Sequence, residues 1–478
     1  MRVTRANAAP VASRGAYVLY WMIAARRTTW SFALDHAIAR AKELARPLVV
    51  FEPLRIGYRW ASDRLHAFVL QGMRDNEAAF KRAGVTYLPY IERSVGEGKG
   101  LLAELAKRAC LVVTDEQPGF FLPHMVAAAA KQLPVSLEIV DGNGLLPLRA
   151  HERAFPTAAL FRRHLQKTIA PHLAIAPKAA PLARLPHVLR DGDVTVAKRW
   201  KLTTDVDLAS LSIDHAVPPA PIAGGSQAAA IALDAFIATK LARYGEGHNH
   251  PDDDAASGLS PWLHFGHISA HEICARVWAD ASWDPSRVAG AKVTGSREGW
   301  WGLPASHESF LDELITWREL GHGFCFHRAD YDRYASLPDW AQKTLGDHAH
   351  DVRPVIYTPA QLEAAATADE VWNAAQRQLV GEGRIHNYLR MLWGKKILEW
   401  SPTPQRALAT LIDLNNRYAL DGRDPNSYSG IFWTLGRFDR PWAPIRPIFG
   451  AVRYMSSTNT TKKLHLRKYL ARWSSPRP

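Results

Sequence analysis

The sequence predicts an α/β domain followed by an all-helical one, and three observations carry that expectation. Through the first third, short apolar β-prone runs alternate with segments of helical periodicity. From 142 to about 228 the composition turns rich in Pro, Ala and Arg. From Ile231 onward the apolar patterns all have helical spacing. Residues 1–148 should hold a parallel five-stranded sheet of Rossmann-like type, with helices on both faces. A connector over 149–228 and a helical domain over 229–478 complete the expected order.

The strands read AYVLYWM (16–22), PLVVFEP (47–53), GVTYLPY (84–90), CLVVTDE (110–116) and VSLEIVD (135–141). Between them, TTWSFALDHAIARAKELA (28–45) and SDRLHAFVLQGMRDNEAAFKRA (62–83) have helical apolar faces, and Ser62 stands where an N-cap would. GKGLLAELAKRA and FLPHMVAAAAKQL fill the later gaps. No GxGxxG or GxxxxGK[ST] follows the first strand, which argues against a dinucleotide fingerprint and a P-loop. VPPAPIAGGSQAAA (217–230) reads as a linker. Beyond it, ALDAFIATKLARYGEG, SAHEICARVWAD, HESFLDELITWREL, IHNYLRMLWGKKILEW and PQRALATLIDLNNRYAL each carry one apolar face.

A chain of 478 residues can bury more than one core. Its net charge of +13 points to a polyanionic partner, with nucleic acid ahead of an acidic membrane because no basic amphipathic helix stands out. The three cysteines, Cys110, Cys274 and Cys325, form no CxxC pair, so neither a disulfide framework nor a cysteine zinc site is expected. No metal ligands are assigned. That usage fits a reducing cytoplasm, with nucleoid DNA if the source is bacterial. No apolar run approaches membrane-spanning length. The segment RYMSSTNTTKKLHLRKYLARW, from Arg453, mixes basic and aromatic residues. It suits phosphate contact with base stacking, and equally a solvated terminal helix.

The residues richest in chemistry lie between Glu308 and Trp400. Fourteen of the 17 tryptophans occur at or after Trp200. Trp393 and Trp400, seven residues apart, should share a helix face about 10 Å apart along its axis. Trp372 opens the preceding helical segment. Glu313 and Trp317, at i and i+4, should share another face. Spaced indoles suit stepwise electron transfer, and a carboxylate beside an indole suits recognition of a flat, hydrogen-bonding base. Core packing is the competing reading for each tryptophan.

Together these segments resemble the photolyase/cryptochrome superfamily, most closely class II cyclobutane pyrimidine dimer photolyases. The resemblance rests on GLSPWLHFGHISA (258–270), FLDELITWRELGHGFCFH (310–327), PDWAQKTLGDH (338–348), VWNAAQRQLVGEGRIHNYLRMLWGKKILEW (371–400), DGRDPNSYSGIFWTLGRFDRPW (421–442) and RPIFGAVRYMSSTNTTKK (446–463). It implies FAD in the helical domain. There the reduced anionic form, FADH⁻, would repair dimers in UV-damaged DNA under light by lending an electron to the flipped lesion. By matching position, Tyr244, Ser257, Gly258, Leu259 and Ser260 resemble the FAD phosphate site, although such a turn also serves as an ordinary cap. Arg390 and Asp421 resemble an ion pair beside the flavin ring, and Asn415 the amide at its N5. Outside that match, Asn415 reads as a helix C-cap in DLNNRYAL. Glu313 resembles the lesion-binding carboxyl, and an elevated pKa would favour its protonated form. Trp317, Trp433 and Trp442 resemble the walls around the dimer, Met391 its apolar contact, and Arg440 the residue that fills the gap in the duplex. Asn249 resembles a DNA-side contact. Trp393, Trp372 and Trp400 match an electron chain in that order, with Tyr388 beside it.

Departures from the family pattern are His248 in place of an Arg, a long segment over 272–307, and a loosely matching 150–167. The resemblance leaves room in the N-terminal domain for an antenna chromophore such as a deazaflavin. A monomer is expected. The alternative function is a cryptochrome-like blue-light photoreceptor signalling through flavin photoreduction. Glu313, Trp317, Met391 and Trp442 favour repair over it. Repair of (6-4) photoproducts would call for histidines over the lesion, which are not seen.

Overall fold

The computed structural model describes residues 1–288 and 292–474. Of the 272–307 segment, 289–291 therefore lie outside the described residues. The contacts within the chain define two compact units. The first is Met1–His151 with Ile169–Leu233 and Leu259–Asp280. The second is Glu152–Thr168 with Asp234–Gly258 and Ala281–Pro478.

The first unit is built on a sheet of β1 (Val3–Arg5), β2 (Tyr17–Trp21), β3 (Leu48–Leu54), β4 (Thr86–Ile91), β5 (Ala109–Asp115) and β6 (Ser136–Val140). Their spatial order is β1-β6-β5-β2-β3-β4. The five strands expected from sequence are present and mutually parallel. The sheet nevertheless has six strands and is mixed, because β1 runs antiparallel along β6. Three half-exposed residues, VTR, carry no apolar run that periodicity could detect. β1 exists through its partner: Ala6 N–H reaches the Leu137 carbonyl, and the Asn7 amide exchanges bonds with Val135 and Leu137.

β2 shows why the apolar runs are continuous rather than alternating. Tyr17, Leu19 and Trp21 enter one core layer, and Val18, Tyr20 and Met22 the other. Helix α1 (Phe32–Leu44) starts with the Ser31 hydroxyl accepting from Leu34 N–H. Helix α2 (Asp63–Ala83) starts at Ser62, as expected, but the Ser62 side chain makes no cap bond. Gly84 ends α2 at φ +68°, a left-handed conformation that favours glycine. Helices α3 (Leu101–Ala106) and α4 (Leu122–Ala130) complete the crossovers.

The second unit is helical: α5 (Ala158–Thr168), α6 (Ala305–Leu311), a π-helical turn over Asp312–Trp317, α7 (Arg318–His327), α8 (Glu370–Glu382), α9 (Asn387–Trp400), α10 (Pro404–Tyr418), α11 (Pro425–Thr434) and α12 (Arg467–Trp473). Residues 152–168, read from sequence as connector, belong to this unit, whereas 169–233 belong with the sheet. Helix starts follow their local chemistry. Asp369 caps α8 through Trp372 N–H, Thr403 caps α10 through Arg406 N–H, and Pro404 and Pro425 occupy first turns that need no amide donor. Two glycines bring helices to close range. A Cβ at Gly394 would lie 2.5 Å from Thr434 Cγ2, and one at Gly321 would lie 2.8 Å from Asn426 Cα.

Candidate functional site

Helices α8 and α9 place three indoles in series. Trp372 and Trp393 stack at 6.5 Å between ring centroids and 4° between planes. Trp372 then meets Trp400 at 5.4 Å, nearly edge-on. All three rings are buried. Trp372 Nε1–H donates to the Trp393 carbonyl at 3.0 Å, and Trp393 Nε1–H to Gln376 Oε1 at 2.8 Å. The order 393–372–400 expected from sequence is the order of contact. Tyr357, missed from sequence, continues the row, with its ring 5.1 Å from Trp400. Its phenol oxygen accepts from Ala368 N–H. No ring contact links Tyr388 to these tryptophans; Lys463 Nζ lies over it at 5.2 Å.

Past α10 the chain turns so that Arg390 and Asp421 meet. Arg390 NH2 lies 2.9 Å from Asp421 Oδ1 and NH1 3.4 Å from Oδ2. Asn415 is buried, and its Nδ2 donates to the Gly422 carbonyl and Ser427 Oγ at 2.9 and 2.8 Å. A carbonyl can only accept, so these bonds fix the amide orientation and leave Oδ1 buried without a partner. The Arg390 Nε is buried and unpartnered as well. The helix-cap reading of Asn415 fails because the side chain points into the unit instead of capping. Two open polar atoms beside an ion pair fit a planar heterocycle with hydrogen-bonding edges, which is what an isoalloxazine offers.

Tyr244 is buried and stacks on His248 at 4.5 Å, with planes 6° apart. Burial, then the charges of Glu313 and Asp312, push its phenol well above its ordinary pKa. His248 donates from Nδ1 to the Tyr244 carbonyl and receives Asn249 Nδ2–H at Nε2. Burial lowers the His248 pKa, so its ring is held towards the neutral form. Gly258 takes φ +68° before the five-residue helix Ser260–His264, and a Cβ there would lie 3.3 Å from Arg384 NH1. Ser257 and Gly258 fall in the second unit and Leu259 and Ser260 in the first.

Glu313 and Trp317 share the π-helical turn, a correction to the α-helical face expected from i, i+4 spacing. Such wide turns cluster at functional sites because they re-aim side chains. The Glu313 carboxyl makes no hydrogen bond among the described residues. Burial, then the neighbouring Asp312, raise its pKa to about 7, against the pull of Arg162 and Arg297. Near neutral pH such a carboxyl can donate as well as accept.

Trp433 and Trp442 form a further group, joined by a residue whose role the sequence did not reveal. The Arg453 guanidinium lies 5.7 Å from the Trp433 ring and 4.9 Å from that of Trp442. Arg440 is exposed and lies 5.3 Å over Trp442, whose Nε1–H donates to Asp439 Oδ1. Buried Lys395 donates to the Thr434 carbonyl at 2.6 Å and lies 5.1 Å from the Trp433 ring. Burial lowers its pKa to about 7. Met391 faces Gly430, its Cε 3.8 Å from where a Cβ would stand.

Two features stand apart. His250, Asp253 and His465 gather ligand-type atoms within 4.8 Å. Their Nδ1 atoms are committed: His250 accepts His465 N–H, and His465 pairs with Asp253. In the first unit, a cavity of about 380 Å³ is lined by Trp21, Phe51, Arg55, Tyr90, Lys99 and Met125 among others. Trp21 Nε1 and Tyr90 OH are buried there without partners.

The chain is similar to proteins named deoxyribodipyrimidine photo-lyase. That of Methanothermobacter thermautotrophicus is 33% identical over 98% of this chain and 97% of its own length. That of Oryza sativa is 33% identical over 96% and 87%, and that of Potorous tridactylus 31% over 94% and 80%. Among solved structures, a class III photolyase from Agrobacterium tumefaciens superposes with a TM-score of 0.65 at 18% identity, covering 96% of this chain and 86% of its own. A Synechocystis cryptochrome superposes with 0.68 at 14%, covering 96% and 88%. No family model matches the chain.

Proposed function

This chain belongs to the photolyase/cryptochrome superfamily, which binds FAD, and from that premise we propose that it repairs cyclobutane pyrimidine dimers in DNA as a class II photolyase. Bound reduced FAD would supply, under light, the electron that opens the cyclobutane ring and is then returned. The residues of this chain do the rest. Arg390, held by Asp421, places positive charge beside the ring and favours an anionic flavin. Asn415 Oδ1, open as an acceptor, would take a hydrogen bond from the bound flavin. Tyr244 with Ser257 and Gly258 would hold the phosphates. Trp393, Trp372 and Trp400 form a buried row, and the partly exposed Tyr357 extends it.

The observation that carries repair over signalling is the Glu313 carboxyl. Among the described residues it has no hydrogen-bonding partner, it stands one turn from Trp317, and its pKa is raised to about 7. In repair, its proton hydrogen-bonds a pyrimidine edge and steadies charge there. Trp317, Trp433 and Trp442 enclose the lesion, Met391 packs against it, and Arg440 occupies the vacated stack. The net charge of +13 suits DNA.

An antenna chromophore is the reading for the first unit's cavity. Aromatic walls with two open donors, Trp21 Nε1–H and Tyr90 O–H, suit a flat heteroaromatic ligand such as a deazaflavin. The decisive experiment is anaerobic photoreduction of the purified protein, followed by illumination with dimer-containing oligonucleotides. Light-dependent loss of dimers is expected. Flavin photoreduction with no loss of dimers would favour the cryptochrome-like alternative.

A further inference from the structure

The Glu313 carboxyl is flanked in sequence by a second acid, and the structure handles the two in opposite ways. Asp312 is buried and gripped by a two-point fork: Arg162 Nε lies 2.7 Å from Oδ1 and NH2 2.6 Å from Oδ2. Glu313 makes no hydrogen bond or ion pair among the described residues. The same guanidinium lies 5.8 Å from the ring centroid of Trp317, at the other end of the turn. One side chain from α5 therefore touches both ends of the π-helical turn.

Helix α5 is itself pinned. Gln166 Oε1 accepts from Thr294 and Gly295 N–H at 3.0 and 2.8 Å, and its Nε2 donates to the Ser296 carbonyl. Gly295 sits at φ +78°, and a Cβ there would come within 2.8 Å of Arg163 Cγ. The long 272–307 segment thus contributes a buttress for α5. It also brings Arg297 into electrostatic reach of Glu313.

We infer that Arg162 is a positioning residue for the lesion-side carboxyl. By pairing with Asp312 through both carboxylate oxygens it leaves Glu313 as the unpaired acid of the turn, and it sets the charge that Glu313 meets there. The inference rests on the repair reading above. Two adjacent carboxyls in a protein interior oppose each other's ionisation. A fork with two charge-assisted bonds satisfies one of them, so the charge its neighbour meets is that of the pair and not of a lone carboxylate. The charged and titratable groups around Glu313 are Asp312 on its own turn, Arg162 from α5, Arg297 from the inserted segment and Tyr244. On the adjoining helices, α6 carries His307 and Glu308, whose carboxylate accepts Gly299 and Leu303 N–H, and α7 carries Arg318, Glu319 and His322.

The test is the pH dependence of light-driven repair by full-length, chemically prereduced protein, with flavin content measured alongside. If the wild type repairs no dimers, the repair reading fails and the Arg162 question does not arise. If it repairs, its alkaline limb should disappear in Glu313→Gln. Asp312→Asn leaves Arg162 uncompensated, which favours ionised Glu313, so the limb should move to lower pH by about half a unit or more. Arg162→Gln should move it the other way, and Arg162→Gln/Asp312→Asn should bring it back near the wild-type position. Should Asp312→Asn lose its flavin, the upward displacement in Arg162→Gln decides alone. A limb that stays in place in the single variants, or moves the same way in both, overturns the proposal. A purely structural staple would lower flavin content and rate without opposite displacements.

Discussion

Acids in the two units behave differently, and the contrast separates architecture from site. In the α/β unit, Asp115 at the end of β5 accepts the N–H groups of Ile23, Ala24 and Ala25 and the Tyr20 hydroxyl. Glu52 on β3 is met by Arg26, Asn76 and Tyr87. Both are saturated, and both tie loops or helices to strand ends. In the helical unit, among the described residues, the half-buried Glu313 makes no hydrogen bond, the buried Asn415 Oδ1 is unpartnered, and Arg390 spends only two of its three nitrogens. A polar group closed on its own chain does structural work, whereas one left open at a cost of about 1–3 kcal/mol is kept for something else.

The sharpest way to break that contrast is at the relay. Trp393→Phe should abolish light-driven reduction of oxidised flavin while leaving repair by prereduced protein intact, since phenylalanine keeps most of the packing but is far harder to oxidise. Photoreduction at the normal rate would show that the 393–372–400 row is core and not conduit. Flash photolysis and prereduced repair in the same preparation decide it.

Next in size is the saturated acid. Asp115→Ala strands four donors and should destabilise the α/β unit by more than about 3 kcal/mol. Thermal unfolding should show a lower midpoint. Asp115→Ala and Glu313→Ala compared side by side would sink the contrast if the two cost the same stability.

Glu313→Gln should keep flavin and lower repair yield roughly five- to tenfold, about 1–1.4 kcal/mol of lost stabilisation, because the amide retains some bonding. In the wild type, repair should decline as pH rises through about 7, where the carboxyl loses its proton. The sign follows from the shift: a raised pKa keeps the donor form up to neutrality, and alkaline conditions remove it. A yield that is flat with pH and unchanged in Glu313→Gln would take this residue out of the mechanism.

The smallest effect belongs to Tyr357→Phe. Its ring touches Trp400 but not the inner pair, so only the last step of charge separation should suffer. Transient absorption should show a shorter-lived radical pair, with steady photoreduction only slightly slower.

The candidate site was legible in sequence wherever its residues sit in dense local motifs. VWNAAQRQLV and MLWGKKILEW put Trp372, Trp393 and Trp400 on two successive helices, and the structure brings those helices together. Tyr388 lies in the same stretch, yet shares no ring contact with the tryptophans, because neighbourhood along a helix does not fix the direction of a side chain. Tyr357 escaped notice for the converse reason. It sits in an irregular segment whose approach to Trp400 depends on a backbone bond, Tyr357 N–H to the Trp400 carbonyl.

What the sequence by itself determined is the set of regular elements. The five parallel strands follow from continuous apolar runs, because burial on both faces demands it, and the helices follow from 3.6-residue periodicity and local caps such as Ser31, Asp369 and Thr403. Only the tertiary structure decided the rest. β1 is a strand because β6 offers it an edge. Asp312–Trp317 widens into a π-type turn that no short-range propensity announces, and Arg162 reaches Asp312 from 150 residues away. Hydrogen bonds and ion pairs between distant segments leave no period in the chain, so the charges that set the Glu313 carboxyl become visible only once those segments are packed.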